Sequence, residues 1–559
     1  MSRTEAAPAR PTAPGTGRPT APGTDHRAAL AVLMPGFVGT ELPGWLRRAL
    51  AEGLGGVCLF GHNITDPDQL RRLTAEVRGA APHAVIAVDE EGGDVTRLHA
   101  GAGSPFPGNA VLGRLDDVDL TAAVAAAVAA EVRAAGCDLT LAPVVDVNSQ
   151  PDNPVIGTRS FGADPGLVAA HGAAWVHGAQ CAGVAATAKH FPGHGDTTTD
   201  SHLARPVATA DRATLHAREL APFRAAVAAG VAAVMTSHIV LPALDPDRPA
   251  TTSPAVLDLL RGELGFTGAV VSDALDMAGA TDGAGAGATA VAALAAGCDL
   301  LCLGAATTGA ELAEVVDAVA AALADGTLDR DRLDASAARV RALLARPAGA
   351  SPPAATGGPG TTAAGRPGTT AAGRPGTTAA GPPPTTSGPA PRVPGPAEVL
   401  PAVEVSAAAR ARLRAPGPRV LLRLDTEANI AVGTAPWGPF AALADAVADA
   451  DADAGGIAGL DGAALTDGGP DPRPEVRTAG APGWLDLPAD AVVVAVGRDN
   501  HRHPRSRHLL DDLRARRPDA VVVDMGWPSP ARDYADVATF GASRLMGAAL
   551  LELITPARP

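Results

Sequence analysis

The segment KHFPGHGDTTTDSH at 189–202 gathers one lysine, three histidines and two aspartates into fourteen residues. Pro192 and Gly193 forbid a continuous helix, so it reads as a strand over 184–189 that runs into a loop. His190, His194, Asp200 and His202 are zinc-ligand types, but with no helix to carry them their spacing matches no HxxxH pair. A purely structural loop is another reading. Acid/base chemistry suits the residues better. A turn at Ser201 would bring Asp200 against His202, orienting the imidazole and stabilising its cation, which makes a proton donor near neutral pH. Such a donor needs a nucleophile opposite it. GAVVSDALDM at 268–277 places the carboxylate of Asp273 at the end of an apolar run, although Ser-Asp also caps helices. A carboxylate facing a proton donor across a sugar is the arrangement of a retaining glycosidase.

Lys189 stands out for a second reason. It is the only lysine in the chain, the other 44 of its 45 basic residues being arginine. A general drift to arginine accounts for the 44 but not for the exception. A compact ammonium and a planar guanidinium differ most in a tight site, so chemistry or fit is expected to hold Lys189 in place.

These residues must be positioned by a fold. At 559 residues, with 46% hydrophobic residues, the chain is long enough for two folded units. Residues 1–27 (RPTAPGTG, then RPTAPGTD) read as a disordered tail. Residues 347–397, with PGTTAAGR twice and PGTTAAGP once, read as a low-complexity linker unable to bury a core. Between them, 28–346 alternates apolar runs with Ala/Leu/Arg helical stretches. Strands are expected at 30–34, 56–60, 84–89, 139–146, 185–190, 232–238, 269–273 and 299–304. Eight such units predict a (β/α)8 TIM barrel with its site at the C-terminal strand ends. An open doubly wound sheet is the alternative, but no GxGxxG follows an early strand. Asp89, Asp146, Lys189, His190, His238 and Asp273 all fall at or near the ends of these runs. Residues 398–559 read as a smaller α/β domain, with a helix at 507–516 and no catalytic constellation of its own.

The net charge of −15 and the scattered basic residues exclude nucleic acid as the main partner. The one dense basic cluster, HRHPRSRH at 501–508, reads as a solvated loop. Cys58, Cys137, Cys181, Cys298 and Cys302 show no paired spacing and read as small buried thiols in a reducing compartment. With no apolar signal region and no membrane-length run, a cytoplasmic location is expected and no membrane partner.

The segment 189–202, with Asp273 in VVSDALDM, resembles glycoside hydrolase family 3. Within it the similarity is to the bacterial β-N-acetylglucosaminidases that recycle cell-wall fragments, whose KHFPGHGxxxxDSH motif is matched throughout. VDEEGGDVTRL (88–98), APVVDVN (142–148), NPVIGTRSFG (153–162) and VMTSHI (234–239) extend the resemblance over 28–346. The resemblance implies that Asp273 is the nucleophile and His202 the acid/base, oriented by Asp200. It implies that Asp89, Arg159, Lys189 and His190 bond sugar hydroxyls and that Met235 lines the N-acetylglucosamine site. A small glycan or muropeptide is the implied substrate, with no metal or other cofactor; the oligomeric state is left open. The family's β-glucosidases usually follow the nucleophile with Trp, where Ala274 stands here, and take the acid/base from their second domain. Many relatives read SDDL where this chain reads SDAL. A phosphorylase passing the sugar to phosphate, a family β-glucosidase and a non-catalytic glycan-binding protein are the rival readings.

Overall fold

The computed structural model describes residues 23–201, 204–281, 285–344, 388–426, 431–444 and 474–555. Among them, eight short strands lie parallel in chain order: β1 (Leu33–Met34), β2 (Gly56–Leu59), β3 (Val85–Val88), β4 (Leu139–Thr140), β5 (Ala185–Phe191), β6 (Ala233–Thr236), β7 (Ala269–Val271) and β8 (Leu301–Cys302). Strands β2 to β7 pair successively, and β1 pairs with β8. A Val271–Leu300 bridge and the Cys58 N–H bonded to the Pro35 carbonyl at 3.0 Å complete the ring. The fold is the TIM-type α/β barrel that the spacing of apolar runs predicted.

The strands are short but buried on both faces, which is why they read as continuous apolar runs. In β3, Val85 and Ala87 join Met34, Cys58, Leu139 and Met235 inside the barrel. Ile86 and Val88 point outward among Leu70, Leu73 and Val128 of the surrounding helices. Aspartates set where several helices start: Asp66, Asp117 and Asp164 each accept an N–H from the third residue on, opening Pro67–Ala80, Val118–Ala134 and Pro165–Cys181. All five cysteines are free; four are buried, whereas Cys181 is partly exposed at the end of its helix.

A second sheet follows, built from β9 (Glu404–Val405), β10 (Arg419–Arg423), β11 (Glu475–Thr478), β12 (Val492–Gly497), β13 (Val521–Asp524) and β14 (Val537–Ala538). Its order is β9-β14-β13-β12-β10-β11, parallel except for β9 against β14. Helices Pro504–Arg516 and Arg544–Ile554 cover it.

The structure shifts several expected boundaries. Residues 24–27, assigned by composition to the tail, belong to helix Thr24–Leu30, tied to the barrel by an Asp25–Arg330 ion pair of 2.8 Å. Leu30 therefore ends a helix and does not start a strand. Residues 1–22 of the tail and residues 347–387 of the linker lie outside the described residues. Residues 388–397 are packed: the Arg392 N–H bonds the Ala123 carbonyl at 3.1 Å, and helix Pro396–Val399 starts there. The basic cluster at 501–508 is not a solvated loop. His501 is largely buried, 3.3 Å from Asp152, and Arg502 donates to the Pro151 carbonyl at 2.5 Å, so these two residues dock on the barrel, while 504–508 open helix Pro504–Arg516 with Arg505 and His508 exposed. No helix among the described residues is long and apolar enough to cross a membrane.

Candidate active site

At the C-terminal ends of β3 and β5 a buried ion cluster forms. The Lys189 ammonium sits between Asp89 Oδ1 at 2.6 Å and Glu91 Oε1 at 2.7 Å. Arg159 grips Glu91 with two N–H groups, at 3.0 and 2.7 Å. Arg97 donates to the other oxygen of Asp89 at 2.9 Å. Burial alone would neutralise these groups, but reciprocal pairing keeps them charged. Burial pushes Asp89 up, yet Lys189 and Arg97 outweigh it and hold its carboxyl below the usual range. Glu91 is lowered against the same penalty by Arg159 and Lys189. Lys189 is raised, because Asp89 and Glu91 overcome the burial that would discharge it.

The loop after β5 is shaped by Asp146 from the chain beyond β4. Its Oδ1 accepts the backbone N–H groups of His190 and His194 at 3.1 and 2.7 Å, and its Oδ2 lies 2.7 Å from His190 Nδ1. A carboxylate only accepts, so the Nδ1 carries the proton and the other ring nitrogen faces Arg159 at 3.4 Å. His194 bonds Thr197 at 3.0 Å through Nδ1 and Ser201 at 3.1 Å through Nε2. Burial and the neighbouring His190 pull its pKa down to about 4, so it is a neutral strut. It fixes Ser201, the residue before His202. The expected turn at Ser201 is present, the Ala204 N–H reaching the Asp200 carbonyl at 3.0 Å.

Asp273 follows β7, its Oδ1 accepting the Ala274 N–H at 2.9 Å. It lines one cavity of about 250 Å³ together with Asp89, Arg159, Lys189, His190, Met235 and Ser201. Six of the eight residues singled out in the sequence therefore converge. Asp200 lines a neighbouring cavity of about 380 Å³, which shares Val155 and Arg159 with the first. His202 lies outside the described residues. His238, just beyond β6, supports the segment that carries Asp273: its Nε2 lies 3.0 Å from the Ala274 carbonyl and its Nδ1 2.9 Å from Thr251. Among the described residues, no group of three or more His, Cys, Asp or Glu is arranged to hold a metal ion.

Sequence reasoning did not single out Glu91, Arg97 or the bracing role of Asp146. Glu91 and Arg97 lie in the same VDEEGGDVTRL stretch as Asp89. A second carboxylate two residues from the first was the available signal that Lys189 needed two partners.

The family model for the glycosyl hydrolase family 3 N terminal domain matches residues 46–343. The chain belongs to glycosyl hydrolase family 3. The matched stretch carries all the converging residues of the cavity. Among the family's curated members, a β-hexosaminidase of Stenotrophomonas maltophilia (strain R551-3) is 42% identical over 282 residues, 48% of this chain and 82% of that one. A solved family 3 β-N-acetylglucosaminidase from Paenibacillus sp. str. FPU-7 superposes with a TM-score of 0.70 at 29% identity, over 95% of this chain and 96% of that chain. A β-N-acetylhexosaminidase from Beutenbergia cavernae DSM 12333 reaches 0.52 at 30% identity, over 58% of this chain and 99% of that chain. The likeness to the Paenibacillus enzyme thus extends over the barrel and the second sheet alike.

Proposed function

We propose that the chain is a retaining exo-β-N-acetylglucosaminidase, releasing terminal N-acetylglucosamine from small glycans such as cell-wall-derived muropeptides. The observation that carries this reading is the shared cavity: the Asp273 carboxylate faces the same space as the Asp89–Lys189–Arg159–His190 cluster. Paired charged groups held rigidly at strand ends suit a sugar's hydroxyls, which need donors and acceptors at fixed positions. Met235 adds an apolar wall for the N-acetyl group. The names borne by the Stenotrophomonas and Paenibacillus relatives support the same substrate class.

In the proposed mechanism Asp273 attacks the anomeric carbon while His202, as imidazolium, protonates the departing oxygen. Asp200 orients His202 and stabilises its cation. Neutral His202 then deprotonates water, which displaces Asp273 and yields the sugar with retained configuration. The strut from His194 to Ser201 supports this role, because it anchors the loop at the residue before His202.

A panel of aryl β-glycosides tests the reading. The wild type is expected to prefer the N-acetylglucosaminide over the glucoside, and Asp273→Ala to fall to background. His202→Ala is expected to lose ~10²–10⁴-fold, most with poor leaving groups. Full activity in Asp273→Ala, or a glucoside preference, refutes it.

A further inference from the structure

The larger cavity, of about 380 Å³, lies between barrel and second sheet and opens from the one that holds Asp273. Three links make the two continuous. Val155 and Arg159 line both; Ser201 lines one and Asp200 the other; and Ala431 and Val432 divide between them in the same way. A substituent on the departing oxygen, leaving the Asp273 cavity toward the second sheet, enters this space.

Its far wall carries a cation in an unusual state. Arg498, directly after β12, lies with its guanidinium 4.8 Å from the centre of the Trp437 ring. It lines the cavity but, among the described residues, donates no hydrogen bond and makes no ion pair. Burial pulls its pKa down, with Asp94 and Asp499 acting in the opposite direction. Those carboxylates are engaged elsewhere. Asp94 accepts the Ala542 N–H at 2.7 Å and the Thr158 hydroxyl at 2.9 Å, and Asp499 accepts the Trp527 N–H at 3.0 Å. Arg502, on the same wall, donates to the Pro151 carbonyl at 2.5 Å and lies 3.5 Å from Asp499, and adds a second positive charge beside the site. A largely buried guanidinium with unused donors, placed over an aromatic ring, is preorganised for a planar anion.

We infer that Arg498, supported by Arg502, is a specificity residue of the second sheet that binds a carboxylate on the leaving group of the substrate. The inference rests on the glycosidase reading above and adds the chemical class of the aglycone. It also gives the second sheet a role in selecting substrate without a role in proton transfer.

The test uses the full-length protein and two near-isosteric substrates, 3-carboxyphenyl and 3-carbamoylphenyl β-N-acetylglucosaminide. The wild type is expected to favour the carboxylate by about tenfold or more in kcat/KM, mainly through KM, as for one charge-assisted hydrogen bond. In Arg498→Gln the ratio of the two kcat/KM values should fall to near one, and Arg498→Lys should restore part of it. A wild-type ratio of one overturns the inference and leaves the glycosidase reading standing. A loss in Arg498→Gln shared equally by both substrates also overturns it, since that marks a structural role. If neither substrate is hydrolysed, the glycosidase reading itself fails and takes the inference with it. If added inorganic phosphate instead yields sugar 1-phosphate in an Arg498-dependent way, the site serves an incoming acceptor and the leaving-group assignment is overturned.

Discussion

The sole lysine owes its identity to its neighbours. Lys189 is nearly fully buried, and its ammonium touches Asp89 and Glu91, each of which also holds an arginine. A guanidinium at this position would bring a larger planar group into a space already bounded by Arg97 and Arg159. Lys189→Arg is therefore expected to lower stability by about 1–3 kcal/mol and to raise KM for the N-acetylglucosaminide at least tenfold. Thermal unfolding and steady-state kinetics on the one variant check both. An unchanged KM would show that the lysine is not tied to sugar binding.

At the scale of elements, the loop after β5 depends on what lies beneath it. Gly193 adopts φ +130° and sits so close to Glu219 that a Cβ there would lie 2.6 Å from the Glu219 carboxylate. This is a left-handed position with no room for a side chain. Glu219 receives the Arg218 Nε–H at 2.5 Å, while its other oxygen is buried with no hydrogen-bond partner among the described residues. Burial raises its pKa to about 7, against the opposing effect of Arg218. The native protein thus holds this proton more tightly than the unfolded chain. Its contribution to stability is complete below the unfolded value of 4.5 and is lost as pH rises through about 7. Glu219→Gln keeps the shape and removes the ionisation. The variant is expected to gain on the wild type by up to about 3 kcal/mol between pH 5 and pH 8. Melting temperatures across that range provide the check; parallel curves for the two proteins would disprove it.

At the scale of the whole molecule, barrel and second sheet are joined by more than a linker. Arg114 donates to the Ala402 carbonyl at 2.7 Å, pairs with Glu404 at 2.9 Å and lies 3.9 Å above the Phe540 ring. Arg97 reaches from the ion cluster to the Ala431 carbonyl at 2.8 Å, so the second sheet also touches the residue that bonds Asp89. Removing Arg114 strips the interface without touching the cavity. Arg114→Ala is expected to cost about 1–3 kcal/mol, visible as a lower midpoint in urea. Activity on a simple aryl N-acetylglucosaminide should persist at low temperature. Loss of activity without loss of stability would contradict this division of labour.

The eight apolar runs, the polar residues at their ends and the 189–202 motif were legible in the chain, because parallel strands buried on both faces leave an unbroken apolar signature. Strand β5 and the placement of Asp273 beyond β7 follow from that pattern directly. Other features depend on groups far apart in sequence. Glu91 and Lys189 are 98 positions apart yet share a proton-rich contact of 2.7 Å, and Asp146 braces backbone more than forty residues away. Arg498, directly after β12, lies some 300 residues beyond the loop at 189–202 and just outside the basic cluster at 501–508, where no local pattern marks it. Local pattern determines which segments become strands and which residues crown them. Which charges meet in the buried site is decided only when the barrel strands close into a ring, and which guanidinium is left with donors to spare only when the second sheet packs beside it and water is excluded.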